Sequence, residues 1–272
     1  MKIYIIGDIH GSYIPIKNLY EKIADFAQNQ ENVLILLGDV GFNYYACNPY
    51  TKNLAFKDKE FKKKLREYPF TYFMIRGNHE ERALNLVKQN PKDWDTERFF
   101  GSQVLVEKEF PYIKYAMDFP EVYNILNQKT LVIPGAYSVD KFYRLERNYP
   151  WFKEEQLSSE EKKNGEILCE LNNYNFDMVL SHTCPRIYQP THLFLSAIDQ
   201  STVDISMEQY LGSIEAKIKY KWWMWGHYHK YIVYPEYNAR QPIMLYNDKV
   251  INLNKLIETN NPYESTIAIS EV

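Results

Sequence analysis

Five short apolar runs, each closed by a cluster of Gly, Asp, Asn or His, constrain this chain more than any other feature. Residues 3–6 run into Gly7-Asp8-Ile9-His10-Gly11, and residues 33–37 into Gly38-Asp39-Val40-Gly41. Residues 70–75 lead to Arg76-Gly77-Asn78-His79-Glu80, residues 178–180 to Ser181-His182, and residues 222–225 to Gly226-His227-Tyr228-His229. Apolar runs of this length closed by Gly read as buried strands. A sixth run, residues 131–133, ends at Pro134-Gly135-Ala136-Tyr137. Scarce residues concentrate in these clusters: they take five of the 6 histidines and six of the 10 glycines.

Helix signals lie between the runs. After Pro15, the residues Ile16, Leu19, Ile23 and Phe26 recur at helical spacing. Ser206-Met207-Glu208-Gln209 has the form of a capping box, with Tyr210, Leu211, Ile214 and Ile218 on the face that follows. Strand–helix alternation predicts an α/β protein with a largely parallel sheet, in which ligands gather beyond the carboxyl ends of strands. All five polar clusters sit at such ends, so one shared site can collect them. No repeat, low-complexity tract or Gly/Ser linker interrupts the sequence, which predicts a single domain over 1–272 with surface insertions. The charged stretch 57–67, with Lys62-Lys63-Lys64, reads as a solvated helix face, and the polar stretch 153–164 as a surface helix and loop.

Composition narrows the function. The chain has 272 residues, 45% of them hydrophobic and 25% charged, enough to build a core and too apolar for disorder. No run approaches a membrane span, and the N-terminus lacks a signal-peptide core, so a cytoplasmic address is expected. Cys47, Cys169 and Cys184 are odd in number and far apart, which indicates neither a disulfide framework nor a thiolate zinc site. A net charge of −3 disfavours generic binding to nucleic acid, leaving it possible only as a substrate. Trp222, Trp223 and Trp225 read as packing residues, His192 as ordinary, and Cys184 as a small buried residue.

Asp8, His10, Asp39, Asn78, His182, His227 and His229 supply carboxylate, imidazole and amide groups without a thiolate. That mixed oxygen and nitrogen set suits Mn, Fe, Zn or Ni better than Ca or Mg. Seven ligands exceed what one ion with open positions needs and fit two divalent ions sharing a bridging carboxylate. In extended backbone, Asp8-x-His10 and His227-x-His229 would each present two ligands on one side.

The five motifs, in this order and each after a strand, resemble the calcineurin-like metallophosphoesterase superfamily over residues 3–229. Gly7-Asp8-Ile9-His10-Gly11 and Arg76-Gly77-Asn78-His79-Glu80 are similar in wording to its Ser/Thr protein phosphatase and bacteriophage phosphatase branch. The resemblance implies a four-layer α/β/β/α sandwich of two mixed sheets with two metals, Mn foremost, at the strand ends. Carried over by position, Asp8, His10, Asp39 and His229 hold one metal. Asp39, Asn78, His182 and His227 hold the other, and His79 is the catalytic proton donor. The implied activity is hydrolysis of phosphate monoesters by a hydroxide bridging the metals. Phosphodiester cleavage, of nucleic acid or cyclic nucleotides, is the alternative, and the complete ligand set speaks against a non-enzymatic scaffold. One departure matters. Protein phosphatases continue the second motif with an Asp-Arg pair that orients the catalytic His and grips phosphate, whereas this chain continues Gly41-Phe42-Asn43-Tyr44. Arg76, Arg144 and Arg147 are the candidate phosphate clamps, and the partner that orients His79 is unassigned.

Overall fold

In the computed structural model, which describes residues 1–27, 31–45, 50–194, 196 and 198–270 (side chains of 25–27 apart), all six predicted runs are strands. They are β1 (Lys2–Ile6), β2 (Asn32–Leu36), β3 (Phe70–Met74), β8 (Gln128–Ile133), β9 (Met178–Ser181) and β10 (Trp222–Trp225). Eight more strands escape the sequence reading: β4 (Trp94–Phe99), β5 (Ser102–Glu107), β6 (Ile113–Tyr115), β7 (Glu121–Ile125), β11 (Ile232–Val233), β12 (Gln241–Met244), β13 (Lys249–Asn252) and β14 (Thr266–Ala268). One sheet runs β14-β13-β1-β2-β3-β6-β5-β4 and the other β11-β12-β10-β9-β8-β7. Each has a parallel centre, β1-β2-β3-β6 and β8-β9-β10-β12, with antiparallel strands at its edges.

Side-chain alternation along the strands builds the layers. Ile3, Ile5, Val33, Ile35 and Phe73 face the second sheet and pack with Val132, Met178, Leu180, Trp222 and Met224. Their neighbours Tyr4, Ile6, Leu34, Leu36 and Tyr72 point outward and pack under Ile16, Leu19 and Ile23 of α1 (Ile14–Ala27) and Phe61 of α2 (Ala55–Lys64). On the far side, Leu131, Val179, Trp223 and Trp225 are covered by Cys169 of α5 (Ser159–Leu171) and by Met207, Leu211 and Ile214 of α6 (Ser206–Glu215). The result is the expected α/β/β/α sandwich with two mixed sheets. Short helices α3 (Ala83–Gln89) and α4 (Lys141–Glu146) follow β3 and β8, and α7 (Leu253–Thr259) and α8 (Pro262–Ser265) lie near the end of the chain. Among the described residues no helix is long and apolar enough to cross a membrane. Phe26's side chain and Cys47 lie outside the described residues.

Three local expectations are corrected. Helix α6 begins at Ser206, but no capping box forms there. The Ser206 N–H donates to Asp204 Oδ1 at 2.8 Å, so the preceding aspartate holds the turn instead. A capping box does start α5, where Ser158 accepts from the Glu161 N–H and Glu161 from the Ser158 N–H. The stretch 153–164 is not wholly superficial, because Glu155 is buried. Nor is 57–67 wholly solvated: Lys62 is 3% exposed and donates to Glu107 Oε2 at 2.6 Å and Asn43 Oδ1 at 2.9 Å.

That buried pair sets a stability contrast. Lys62→Ala removes the cation that Glu107 pairs with, a loss of about 3–5 kcal/mol by analogy with broken buried pairs. Lys64, whose partner Glu67 is solvent-exposed, is expected to cost far less when replaced by Ala. Urea denaturation of both variants measures the difference, and equal midpoints would refute it.

Candidate metal centre

The loops at the carboxyl ends of β1, β2, β3, β9 and β10 bring the seven candidate ligands into two adjoining groups. Asp8, His10 and His229 form one, Asp39, His182 and His227 the other, with ligand atoms within 4.8 Å of one another in each. Asn78 joins the second group, its Oδ1 lying 2.8 Å from His182 Nε2. His79, its ring 5.8 Å from that of His10 and its Nε2 3.7 Å from Asp39 Oδ2, stands between the two groups.

The loops are not extended. His10, Asp39, His227 and His229 all have positive φ, between 46° and 70°, a left-handed conformation uncommon for residues with a Cβ. This corrects the reading of Asp8-x-His10 and His227-x-His229 as extended pairs. Asp8 and His10 still share a group, but His227 and His229 turn into different ones. Left-handed non-glycine residues cost about 1–3 kcal/mol each and persist where surrounding structure over-determines them. Here the carboxylates do so: Asp8 Oδ1 accepts the His227 N–H and Asp39 Oδ1 the His79 N–H, both at 2.8 Å. Each contact needs a bare glycine beside it. A Cβ on Gly226 would lie 2.1 Å from Asp8 Oδ1, and one on Gly77 2.1 Å from Asp39 Oδ1.

The remaining polar atoms form a set of acceptors lacking a positive partner. Asp8 Oδ2 is buried without a hydrogen bond, although His229 Nε2 lies 3.4 Å away and His10 Nε2 3.9 Å. In the second group, His182 Nδ1 sits 2.6 Å from the Leu37 carbonyl and must donate to it. Its Nε2 then faces Asn78 Oδ1 at 2.8 Å and Asp39 Oδ1 at 3.5 Å, both acceptors. Either a second proton or a cation must occupy that point. A proton there works against burial, which favours neutral His182, but the Asp39 charge prevails and pushes its pKa up to about 9. Burial and the neighbouring His182 drive His227 down to about 3, so its imidazole is neutral and free to ligate. A neutral imidazole, a converging amide oxygen and carboxylates match the donor set of a transition metal.

Supporting residues hold this set. Glu80 is fully buried; its Oε1 accepts the Val40 and Gly41 N–H groups at 2.5 and 2.7 Å, and Oε2 the Gly77 N–H at 3.1 Å, tying the second motif to the third. Burial and the charge of Asp39 push its pKa up to about 7 in spite of those donors. Arg144 is placed beside the site, with Nε on Asp140 Oδ1 at 2.8 Å, Nη1 on the Tyr44 hydroxyl at 2.8 Å, and Nη2 3.2 Å from His79 Nε2. Guanidinium has only donors, so His79 Nε2 accepts from it; burial first, and then the Arg144 charge, hold the His79 pKa below its ordinary value against the pull of Asp39. Arg144, Tyr44, His79 and His10 line a cavity of about 350 Å³.

Arg76 does not reach this cavity, which corrects its reading as a phosphate clamp. It is buried, paired with Asp118 at 3.2 Å, and its Nη1 donates to the carbonyls of Gly77 and Glu155. Arg147 is exposed and stacks near Tyr143. His192 is exposed and Cys184 buried. The sequence reading assigned nothing to Glu80, Tyr44, Ser138 or Glu155. Glu80 lies inside a motif, but the other three carry no local signal.

Residues 1–231 match the calcineurin-like phosphoesterase family. The chain belongs to that family. Its members are metal-dependent phosphoester hydrolases with dinuclear centres, and the two side-chain groups fit that requirement. A stretch of 136 residues is 26% identical to the serine/threonine-protein phosphatase SIT4 of Candida albicans, taking in 49% of this chain and 39% of that one, so the likeness spans well under half of that relative. Among solved structures, the protein TT1561 of Thermus thermophilus aligns over 93% of this chain and 95% of its own, with 11% identity and a TM-score of 0.49. A dimetal phosphatase from Danio rerio aligns over 92% and 94%, with 10% identity and a TM-score of 0.46.

Two ions per chain are the expected loading. Because they bind the folded state only, Mn2+ at a hundred times its Kd should add about 2.7 kcal/mol per site to stability, and EDTA should remove it. Elemental analysis with melting curves at several Mn2+ concentrations reads both; saturation at a single ion would refute the pairing.

Proposed function

We propose that this chain hydrolyses phosphate monoesters at a dinuclear metal centre. Asp8, His10, Asp39 and His229 would hold one ion, and Asp39, Asn78, His182 and His227 the other, with Asp39 serving both. The mixed donors suit Mn, Fe, Zn or Ni, and Mn is the ion to load first. Bound in pairs, such ions act as Lewis acids on phosphoryl oxygens and lower the pKa of water. The chain's own residues do the rest.

The observation that carries the reading is Arg144. Its Nε and Nη1 are pinned by Asp140 and Tyr44, so Nη2 is held at the cavity wall beside His79. A monoester dianion carries one more charged oxygen than a diester, and a guanidinium fixed at that spot is a charge-assisted donor for it. Nη2 has two N–H groups, so it can donate to the phosphoryl group without leaving its place. His79 Nε2, which faces Nη2 and also Asn78 Nδ2 at 3.3 Å, would take a proton from solvent as those contacts loosen and pass it to the leaving oxygen. Diester cleavage is the second reading. It is favoured by a cavity of about 340 Å³ that opens beside His227 and His229, lined by Val139, Phe194 and Tyr228. A second ester substituent could rest there.

Two variants test these roles. Arg144→Ala should lower kcat/KM for p-nitrophenyl phosphate by roughly 10–100-fold, the worth of a charge-assisted hydrogen bond, and affect bis(p-nitrophenyl) phosphate much less. A wild type that prefers the diester, with Arg144→Ala indifferent on both substrates, would hand the assignment to the second reading. His79→Asn should keep its metal content and slow an alkyl phosphate by roughly 10²–10⁴-fold, while a nitrophenyl ester, whose leaving group needs no proton, suffers far less. Equal losses on the two esters would make His79 a phosphate contact, and lost metal would make it a support of the centre.

A further inference from the structure

Asn78 can ligate a cation only if its oxygen, and not its NH2, faces His182. The two ends of an amide are nearly the same size, so something must decide between them. His79 Nε2, 3.3 Å from Asn78 Nδ2, favours this orientation at longer range, and the closer contact comes from the loop after β8 and the stretch before α5. Asn78 Nδ2 donates to Ser138 Oγ at 2.9 Å, which turns Oδ1 toward His182. A serine hydroxyl could equally donate back to the amide oxygen and reverse it. It does not, because its single proton goes to Glu155 Oε2 at 2.5 Å, while Glu155 Oε1 accepts the Ser138 N–H at 3.1 Å. Asn78, Ser138 and Glu155 are each 2% exposed or less, so water does not compete for these bonds. Glu155 is itself fastened: buried Arg76, paired with Asp118, donates to the Glu155 carbonyl at 2.8 Å.

We infer that Glu155 is a positioning residue for the metal centre, acting through Ser138 to hold the Asn78 amide oxygen toward the second ion. The inference rests on the proposed ligand set and adds to it a carboxylate 77 positions along the chain from Asn78. It also assigns Arg76 a task, that of anchoring the Glu155 backbone. Outer partners of this kind set metal affinity because an ill-aimed ligand costs binding even when it is present.

Glu155→Gln is the sharpest variant. It preserves size, but its NH2 can donate to Ser138 Oγ, freeing the hydroxyl proton to bond the Asn78 oxygen and turn the amide. Titration calorimetry of metal-free protein with Mn2+ should then show one ion bound as in wild type and the other weakened by roughly 10–100-fold. Ser138→Ala should weaken the same ion, and Ser138→Thr, which keeps the hydroxyl, should restore most of the affinity. In an Asn78→Ala background, Glu155→Gln should add nothing, an outcome that general destabilisation would not produce. A wild type that binds fewer than two ions would overturn the proposed centre itself. A wild type with two ions, and variants that bind both as tightly or lose both alike, would overturn the role of Glu155. Should Glu155→Gln not fold, as judged by its melting curve, the two Ser138 variants and the Asn78→Ala background decide the question alone.

Discussion

Two hydrogen bonds from main chain to carboxylate organise everything around them. Asp8, from the end of β1, accepts the N–H of His227 beyond β10, and Asp39, from the end of β2, accepts the N–H of His79 beyond β3. The first ties one sheet to the other and the second ties neighbouring strands. Each carboxylate spends one oxygen on a turn and keeps the other among the imidazoles. The turns so fixed are those that put His10, Asp39, His227 and His229 in left-handed backbone. Four unfavourable conformations within one small volume are tolerable because the clamps and the packed sheets beneath leave the loops no alternative.

A concentration of acceptors follows. Asp8 Oδ2 without a donor and His182 Nε2 facing two oxygens would each be expensive in a protein that kept them so. Positive charge at the centre resolves the cost, which makes metal binding and stability of these loops one property seen from two sides. The donors nearby are arranged accordingly. Arg144 stays at the edge, turned to His79, whereas Arg76 is withdrawn into the protein to hold the backbone of Glu155.

The seven candidate ligands were legible as a set because each follows an apolar strand, all but His182 at a Gly-punctuated end, and such ends converge in any parallel sheet. Asn78 and His79 stand together in one turn, and the separate roles expected of them came from the motif resemblance. The sandwich itself came from the motif resemblance more than from periodicity, since eight strands passed unseen. Several of those are edge or hairpin strands, such as β4 with its exposed Asp95, Thr96 and Glu97, whose polar faces leave no apolar run to recognise. Arg76 misled for a physical reason. An arginine two residues before a site asparagine points either into the site or into the core, and only the position of Asp118 decides which.

The sequence by itself determined which side chains could meet, because strand ends and glycines are local properties of the chain. It also determined the chemical character of the centre, since the donor types are written in the residues. Only the tertiary structure decided how those donors are aimed. The split of His227 from His229 depends on left-handed turns enforced by contacts from other strands. The placement of Arg144 depends on Tyr44 and Asp140, and the orientation of Asn78 on Ser138 and Glu155. Orientation is set by partners distant in sequence, and a hydrogen bond to such a partner leaves no periodicity, spacing or composition by which to read it.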